Sequence, residues 1–289
     1  MKKIKLFAII LAAALIVTAA LNVYQYTLNQ NLNQQYNDVN AQLEMKTQLA
    51  QAQGNIKGEL QTLDAALLDA CNKLSLTGLT GTQARAVLTA LLANNSLIIN
   101  AATADAYDVL LAVKPESYSS IEGEDIQSQE QNLYMHQNMR PALSNMIPLV
   151  EGFPGVVMVS PVFNATGQFL GSLSIVIQPY NLIQKYAAPV IEAGQFSMWS
   201  MQLNGTLIFD PDPAQQSKNL LTDPIYADYP EVQAFTQQVA AQQTGYSTYS
   251  YFDKDLSDSS GKVVSKEAYW TTIGIYNTQW RLVIVHPLN

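Results

Sequence analysis

The chain opens on a basic stretch, Met1-Lys2-Lys3-Ile4-Lys5, followed by an apolar run over residues 6–21 that only Thr18 interrupts. Extended to Tyr24, the run has about 19 residues, roughly 28 Å as a helix, enough to cross hydrocarbon. Positive charge before such a segment keeps the lysines in the cytoplasm and sends the remainder out. The layout predicts a signal anchor over residues 1–24 with everything after Tyr24 extracytoplasmic. Small residues at Ala19 and Ala20 leave cleavage and secretion as the alternative. No second apolar stretch of about 18 residues follows, and no intracellular output domain is expected in this polypeptide.

Between Tyr24 and Leu76 there is no proline, and only Gly54 and Gly58 interrupt a helical pattern. Leu28, Leu32, Tyr36, Val39 and Leu43 recur at steps of three or four, and Ile56, Leu60, Leu63, Leu67, Cys71 and Leu74 resume them. Residues 25–80 therefore read as one long stalk helix. Its Gln- and Asn-rich first half has a narrow stripe suited to pairing in a homodimer, with a solitary solvated helix as the alternative. The lone cysteine, Cys71, rules out an intrachain disulfide and sits where a small buried apolar residue is expected.

Thr82 is the expected N-cap of a helix over residues 83–93. Strands follow at residues 97–102 and 108–113, flanking a turn that contains Asp105. After a polar loop at 116–125, a helix is expected over 127–139. Strands at 156–163 and 169–177 flank the turn Asn164-Ala165-Thr166-Gly167, and a helix over 180–191 leads to a boundary near Gly194. The last hundred residues repeat this order. A hairpin around Asn204-Gly205 joins strands 196–203 and 207–210, and a helix lies within 228–243. Strands follow at 246–252, 266–276 and 279–286, with Asn277-Thr278 as the tight turn and residues 253–265 as a polar loop. The fold class is α+β, with module boundaries at 81–193 and 194–289.

Composition narrows function. The net charge is −8 and only 13% of residues are charged, so nothing favours nucleic acid, and no basic stripe overrides the repulsion. No zinc-type Cys/His spacing, phosphate-cradling glycine loop or Gly-x-Ser-x-Gly elbow occurs, so neither a metal, a cofactor nor an enzyme activity is expected. Asp210-Pro211-Asp212 lacks the further oxygen ligands of a calcium loop and reads as a turn after a hairpin strand. Sequons at Asn94, Asn164 and Asn204 would accept glycans in an exported chain.

Several local motifs, taken in order, resemble the double Cache family of extracytoplasmic sensor domains. The membrane-distal signature is carried by Asp125-Ile126, by Arg140-Pro141-Ala142-Leu143-Ser144, by Ser160-Pro161-Val162-Phe163-Asn164-Ala165-Thr166-Gly167 and by Phe169-Leu170-Gly171-Ser172-Leu173-Ser174. The proximal one resembles 201–212, with Gly245-Tyr246-Ser247-Thr248-Tyr249, Glu267-Ala268-Tyr269-Trp270 and Trp280-Arg281-Leu282-Val283-Ile284-Val285. The resemblance covers residues 24–287 and implies a long N-terminal helix followed by two PAS-like (Cache) modules with antiparallel sheets. Amino-acid-binding members place an Arg and, two residues on, an aromatic after the Asp-Ile pair. Here Gln129 and Gln131 stand in those places. Such members also carry an Asp late in the last distal strand, and Ile175-Val176-Ile177 offers none.

The expected function is a membrane-tethered sensor that binds a small organic ligand in the distal module and acts through a separate signalling or transport partner. The alternative is a structural or interaction protein of the envelope with a ligand-free Cache-like body. Candidate pocket residues are Tyr107, Tyr118, Tyr134, His136, Arg140, Ser144, Met158, Ser160, Ser172 and Ser174. His136 and Arg140, four apart, are expected to share one helix face, where the guanidinium could grip a carboxylate. Fifteen tyrosines and three tryptophans supply flat faces with polar tips, and Trp199, Tyr249, Tyr251, Tyr269 and Trp270 do so in the second module.

Overall fold

A computed structural model describes residues 2–149, 152–252 and 262–288, with side chains from Leu15 onward. The chain divides into two compact units, Met1–Thr47 and Gln48–Asn289. Helix α1 (Lys2–Thr77) crosses that division without a break. Within the first unit, Leu28, Leu32, Tyr36, Val39 and Leu43 are all exposed. Thr27 and Thr47 return their hydroxyls to carbonyls four residues back. Among the described residues no helix is long and apolar enough to cross a membrane. Most of the apolar run at 6–21 lies among side chains outside that description.

In the second unit α1 passes through Gly54 and Gly58 as regular helix. Each glycine costs about 1 kcal/mol relative to alanine. Ile56, Leu60, Leu63, Leu67 and Leu74 on one face are fully buried, and each such side chain gains about 1.5–3 kcal/mol on burial. The stripe outweighs the glycines.

Helix α2 (Gly81–Ala93) begins two residues earlier than its sequence suggests, because Thr80, not Thr82, has the extended cap geometry. The first sheet is antiparallel, in the order β2-β1-β6-β5-β3, with β4 on β5. Its strands are β1 (Ile98–Asp105), β2 (Leu110–Lys114), β3 (Ala142–Leu143), β4 (Ile147–Pro148), β5 (Pro154–Phe163) and β6 (Phe169–Ile177). Asp105 closes β1, so the β1–β2 turn lies beyond it, and the loop at 116–125 contains a 3-10 turn, Glu116–Ile121. Helix α3 is shorter than expected, Glu130–Asn138. Asp125 takes the Gln127 N–H in a local turn before it, and Met139 at φ 48 ends it in the left-handed region. Pro141 further disfavours helix at Arg140.

Helix α4 (Pro179–Glu192) leads to the second sheet, antiparallel in the order β8-β7-β11-β10-β9. Here β7 is Ser197–Gln202, β8 Leu207–Phe209, β9 Gly245–Phe252, β10 Val263–Ile275 and β11 Thr278–Pro287, with α5 (Pro230–Ala241) before β9. The expected loop at 253–265 is strand from Val263, and residues 253–261 lie outside the described residues. The β10–β11 turn is Tyr276-Asn277, one residue earlier than expected, because Thr278 already pairs with Ile275 and Tyr276 takes φ 55. That shift frees the Asn277 side chain to bridge to the first sheet. Its Oδ1 accepts the Leu143 N–H at 3.1 Å and its Nδ2 donates to the Leu143 carbonyl at 3.2 Å. Gln202 Oε1 adds a second tie, accepting the Met146 N–H at 2.6 Å.

Gly245, where β9 begins, is required by close approach: a Cβ there would lie 2.1 Å from the Trp270 ring. Trp270 is only 2% exposed and its Nε1 donates to the Gln242 carbonyl, so it has nowhere to move. Gly245→Ala is expected to destabilise the chain by about 1–3 kcal/mol through overpacking. Urea unfolding followed by tryptophan fluorescence checks this, and an unchanged midpoint would refute the close-approach argument.

Candidate functional site

Period-two alternation sends one set of side chains from each strand of the second sheet toward α5. These are Trp199 and Met201 from β7, Tyr249 and Tyr251 from β9, Ala268 and Trp270 from β10, and Val283 and Val285 from β11. All are buried in one cluster with Val232, Phe235 and Val239 of α5. Phe235 stacks on Tyr249, centroids 4.3 Å apart and planes 13° from parallel, and meets Trp199 and Trp270 edge-on. The cluster does not fill the space. A cavity of about 260 Å³ remains between α5, the sheet and the loop after β8, lined by Trp199, Phe235, Tyr249, Tyr251, Asp210, Asp212, Gln215 and Lys266 among others.

The polar side of this cavity comes from a local turn. Asp210 follows β8, and its Oδ1 accepts the Asp212 N–H at 2.8 Å. Asp212 Oδ1 accepts the Ala214 N–H at 2.9 Å, and its Oδ2 accepts from Gln215 Nε2 at 3.2 Å. Gln215 Oε1 in turn accepts the Tyr226 hydroxyl at 3.1 Å. Lys266, opposite Tyr249 in the β9–β10 register, lies with its Nζ 5.8 Å from the Tyr251 ring centroid. Asp210, Asp212 and Lys266 are 7%, 6% and 9% exposed, unusual burial for charged groups. Burial pushes the Asp210 carboxyl from 3.8 up to about 7. The negative charge of Asp212 adds to that rise, while the Asp212 N–H and the Lys266 charge oppose it. The Tyr251 hydroxyl is buried with no hydrogen-bond partner, which leaves its polar requirement unmet by the protein.

The first sheet holds a smaller cavity, about 90 Å³, lined by Asn100, Ala102, Leu110, Ser174 and Val176 with the loop residues Ile121, Glu124 and Gln129 among others. Of the ten residues singled out by sequence, Ser174 lies on it. Tyr107 and Arg140 are exposed. Tyr118 packs against the Ala102, Ala104, Leu110 and Val113 cluster. Tyr134 borders a surface groove with Glu130 and Asn145. His136 Nε2 meets the buried Asp108 Oδ2 at 2.8 Å and the edge of Phe169. It does not share a helical face with Arg140, since α3 ends at Asn138. Ser144 is consumed by backbone, accepting the Val157 N–H and donating to the Asn145 carbonyl. Met158 and Ser160 alternate with the cavity-lining Val157 and so take the opposite face of β5, where Ser160 bonds the Cys71 thiol of α1. Ser172 is buried on β6 opposite Ala104 and Pro161. Gln131 is 1% exposed and donates to Gln129 Oε1, while its own carbonyl oxygen has no partner. Among the described residues, no group of three or more His, Cys, Asp or Glu side chains could hold a metal ion.

Residues 58–179 match the HK/GC/chemotaxis protein-like sensor domain family. The fold is similar to an extracellular ligand binding receptor from Desulfohalobium retbaense, at 30% identity and a TM-score of 0.71 over 84% of this chain. This chain spans 40% of that receptor chain's length. The ligand-binding domain of the Pseudomonas fluorescens chemoreceptor CtaA, solved with L-serine, superposes with a TM-score of 0.61 at 14% identity, covering 87% of this chain and 98% of that one. The periplasmic sensory domain of the Campylobacter jejuni chemoreceptor Tlp1 gives a TM-score of 0.57 at 14% identity, over 86% and 94% of the two chains. The fold is of the double Cache type. Comparison with curated proteins found no match.

Of the two sheet cavities the larger belongs to the second sheet, and sequence reasoning missed its acidic side. The available signal was a pair of aspartates in a chain poor in charge, followed by a strand, β9, that alternates tyrosine with serine and threonine. Because the folded-state pKa of Asp210 lies above its unfolded value, the native chain holds a proton that the unfolded chain has lost between about pH 4 and pH 7. The associated stability is present below that window and lost as pH rises through 7. Asp210→Asn keeps an acceptor for the Asp212 N–H and removes the charge. Relative to the parent chain, the variant is expected to gain stability from pH 4 to pH 8 by a few kcal/mol at most, at about 1.4 kcal/mol per unit of pKa shift. Denaturant titrations of both chains across that range measure the gain. A difference that stays constant with pH would refute the buried, uncompensated carboxylate.

Proposed function

We propose that the chain is the ligand-binding body of an extracytoplasmic sensor, tethered to a membrane by residues 1–24 and responding to a small organic molecule. The observation that carries this reading is the cavity of about 260 Å³ under α5, with aromatic walls and a buried polar end. It sits near the lower limit of small-molecule sites, about 300–1,000 Å³. The match to a sensor family and the likeness to chemoreceptor ligand-binding domains support the sensory role. The basic start and apolar run at 6–21 support the tether. Ser174, with Asn100 and Gln129, remains the place for a ligand in the first sheet. The exposed stripe Leu28, Leu32, Tyr36, Val39 and Leu43 suits pairing with a second copy, from which a change would pass to a signalling or transport partner. One observation favours the second reading, an envelope interaction protein with a ligand-free body: the narrowness of the first-sheet cavity, about 90 Å³.

Thermal unfolding of the full-length, detergent-solubilised chain against carboxylates, amines, purines and sugars separates the two. A ligand at about 100 times its Kd contributes about 2.7 kcal/mol, which raises the Tm by about 5 °C or more. A flat response to every class would leave the interaction protein standing. The tether has its own check. The full chain is expected to stay with membranes through an alkaline carbonate wash, whereas release into the supernatant would contradict anchoring.

A further inference from the structure

The second-sheet cavity is chemically lopsided, and the imbalance names a ligand class. Two carboxylates, Asp210 and Asp212, line it beside one ammonium, Lys266. Both Asp212 oxygens are occupied, by the Ala214 N–H and by Gln215. Asp210, 7% exposed, accepts the Asp212 backbone N–H on Oδ1. Across the same cavity the Tyr251 hydroxyl, in a residue 6% exposed, has no partner. A buried phenol hydroxyl without a partner calls for a polar group in the cavity, and two carboxylates against one ammonium favour a cationic one. The remaining walls are the faces and edges of Trp199, Phe235 and Tyr249, surfaces that attract an organic cation and its apolar body alike.

We propose that this cavity binds a small organic amine, held as its ammonium by Asp210 and the Tyr251 hydroxyl, with its apolar or aromatic body against Trp199, Phe235 and Tyr249. The inference rests on the reading of the cavity as a ligand site and adds the charge class. Lys266 is then the internal counter-ion of the acidic pair, and the volume limits the ligand to about one ring and a short chain.

Four probes of one shape and different charge test it on the full-length chain at pH 8 by calorimetry. They are phenethylamine, 2-phenylethanol, 3-phenylpropionate and phenylalanine. Phenethylamine is expected to bind at least about tenfold more tightly than each of the others. Asp210→Asn is expected to weaken it about tenfold or more, and Tyr251→Phe, which removes one oxygen from an otherwise unchanged ring, about threefold to tenfold. Lower pH is also expected to weaken the amine as Asp210 takes up a proton, in the company of Asp212, Lys266, Tyr226, Tyr249 and Tyr251. Tighter binding of 3-phenylpropionate or phenylalanine would leave the cavity a ligand site governed by Lys266 and overturn the amine. Amine binding untouched by both substitutions would place it elsewhere and overturn the assignment. Failure of all four probes would overturn the charge class, while the broader metabolite panel separately decides the sensory reading.

Discussion

Both sheets depend on one buried stripe of α1. Ile56, Leu60, Leu63, Leu67 and Leu74 are fully buried, and side chains of that kind contribute about 1.5–3 kcal/mol each. Polar ties along the same helix contribute less but fix its register. Gln53 Nε2 donates to Thr271 Oγ1 at 2.7 Å and to the Thr272 carbonyl at 2.8 Å, and Asp64 accepts from the Tyr276 hydroxyl. Further along, Cys71 meets Ser160 of the first sheet, and burial pushes its thiol up to about 11. Residues 53, 64 and 71 are separated by eleven and seven, spacings that return to one helical face. The order of the ties therefore sets the order of the sheets along α1: the second sheet first, then the first. The Glu59 contacts to Lys185 and Tyr186 of α4 add to this, although an ion pair with a half-exposed lysine is worth little by itself.

The two sheets use similar backbones for different interiors. In the first, Ala102, Ala104, Leu110 and Val113 close under Tyr118, Ile121 and Ile126, leaving little free volume. In the second, bulky aromatics stand on a wider face and brace one another at ring separations of 4.3–6.1 Å, which holds walls apart rather than collapsing them. The Asp210–Asp212 turn then presents carboxylates to that space. Buried charge is costly unless compensated; burial, with the charge of Asp212, pushes the Asp210 carboxyl up, and Lys266 opposes the rise.

Most strands were legible because alternation with period two survives in sequence, and the long helix because its stripe does. What failed were features set by tertiary context. His136 and Arg140 share a helical step but not a helix, since the left-handed Met139 intervenes. The β10–β11 turn falls one residue early because Thr278 already pairs with Ile275, and the freed Asn277 bonds the Leu143 backbone of the other sheet, a contact no local pattern encodes. Asp210-Pro211-Asp212 is a turn, as its sequence says. Its burial comes from lining a cavity shared with α5 and β9, so the local reading was sound while the site stayed hidden. Tyr249, Tyr251 and Trp199 were visible as flat, polar-tipped faces, but alternation alone does not distinguish a cavity wall from core.

Strand β10 joins the cavity to the helix. Lys266 lines the cavity, and Thr271 and Thr272, five and six residues on, hold Gln53 of α1. A strand rises about 3.4 Å per residue, so roughly 17–20 Å separate the two ends of this connection. Both neighbours of β10 are hydrogen-bonded to it over long registers, which makes local stretching costly and favours movement of the strand as a unit. A ligand changes the position of α1 only to the extent that it binds two positions of β10 with different affinity. Charge compensation supplies such a difference, because the interaction of a buried carboxylate with a cation varies steeply with separation and with exclusion of water. Lys266 is thus the charged cavity residue that sits on the same strand as the threonines holding Gln53 of α1.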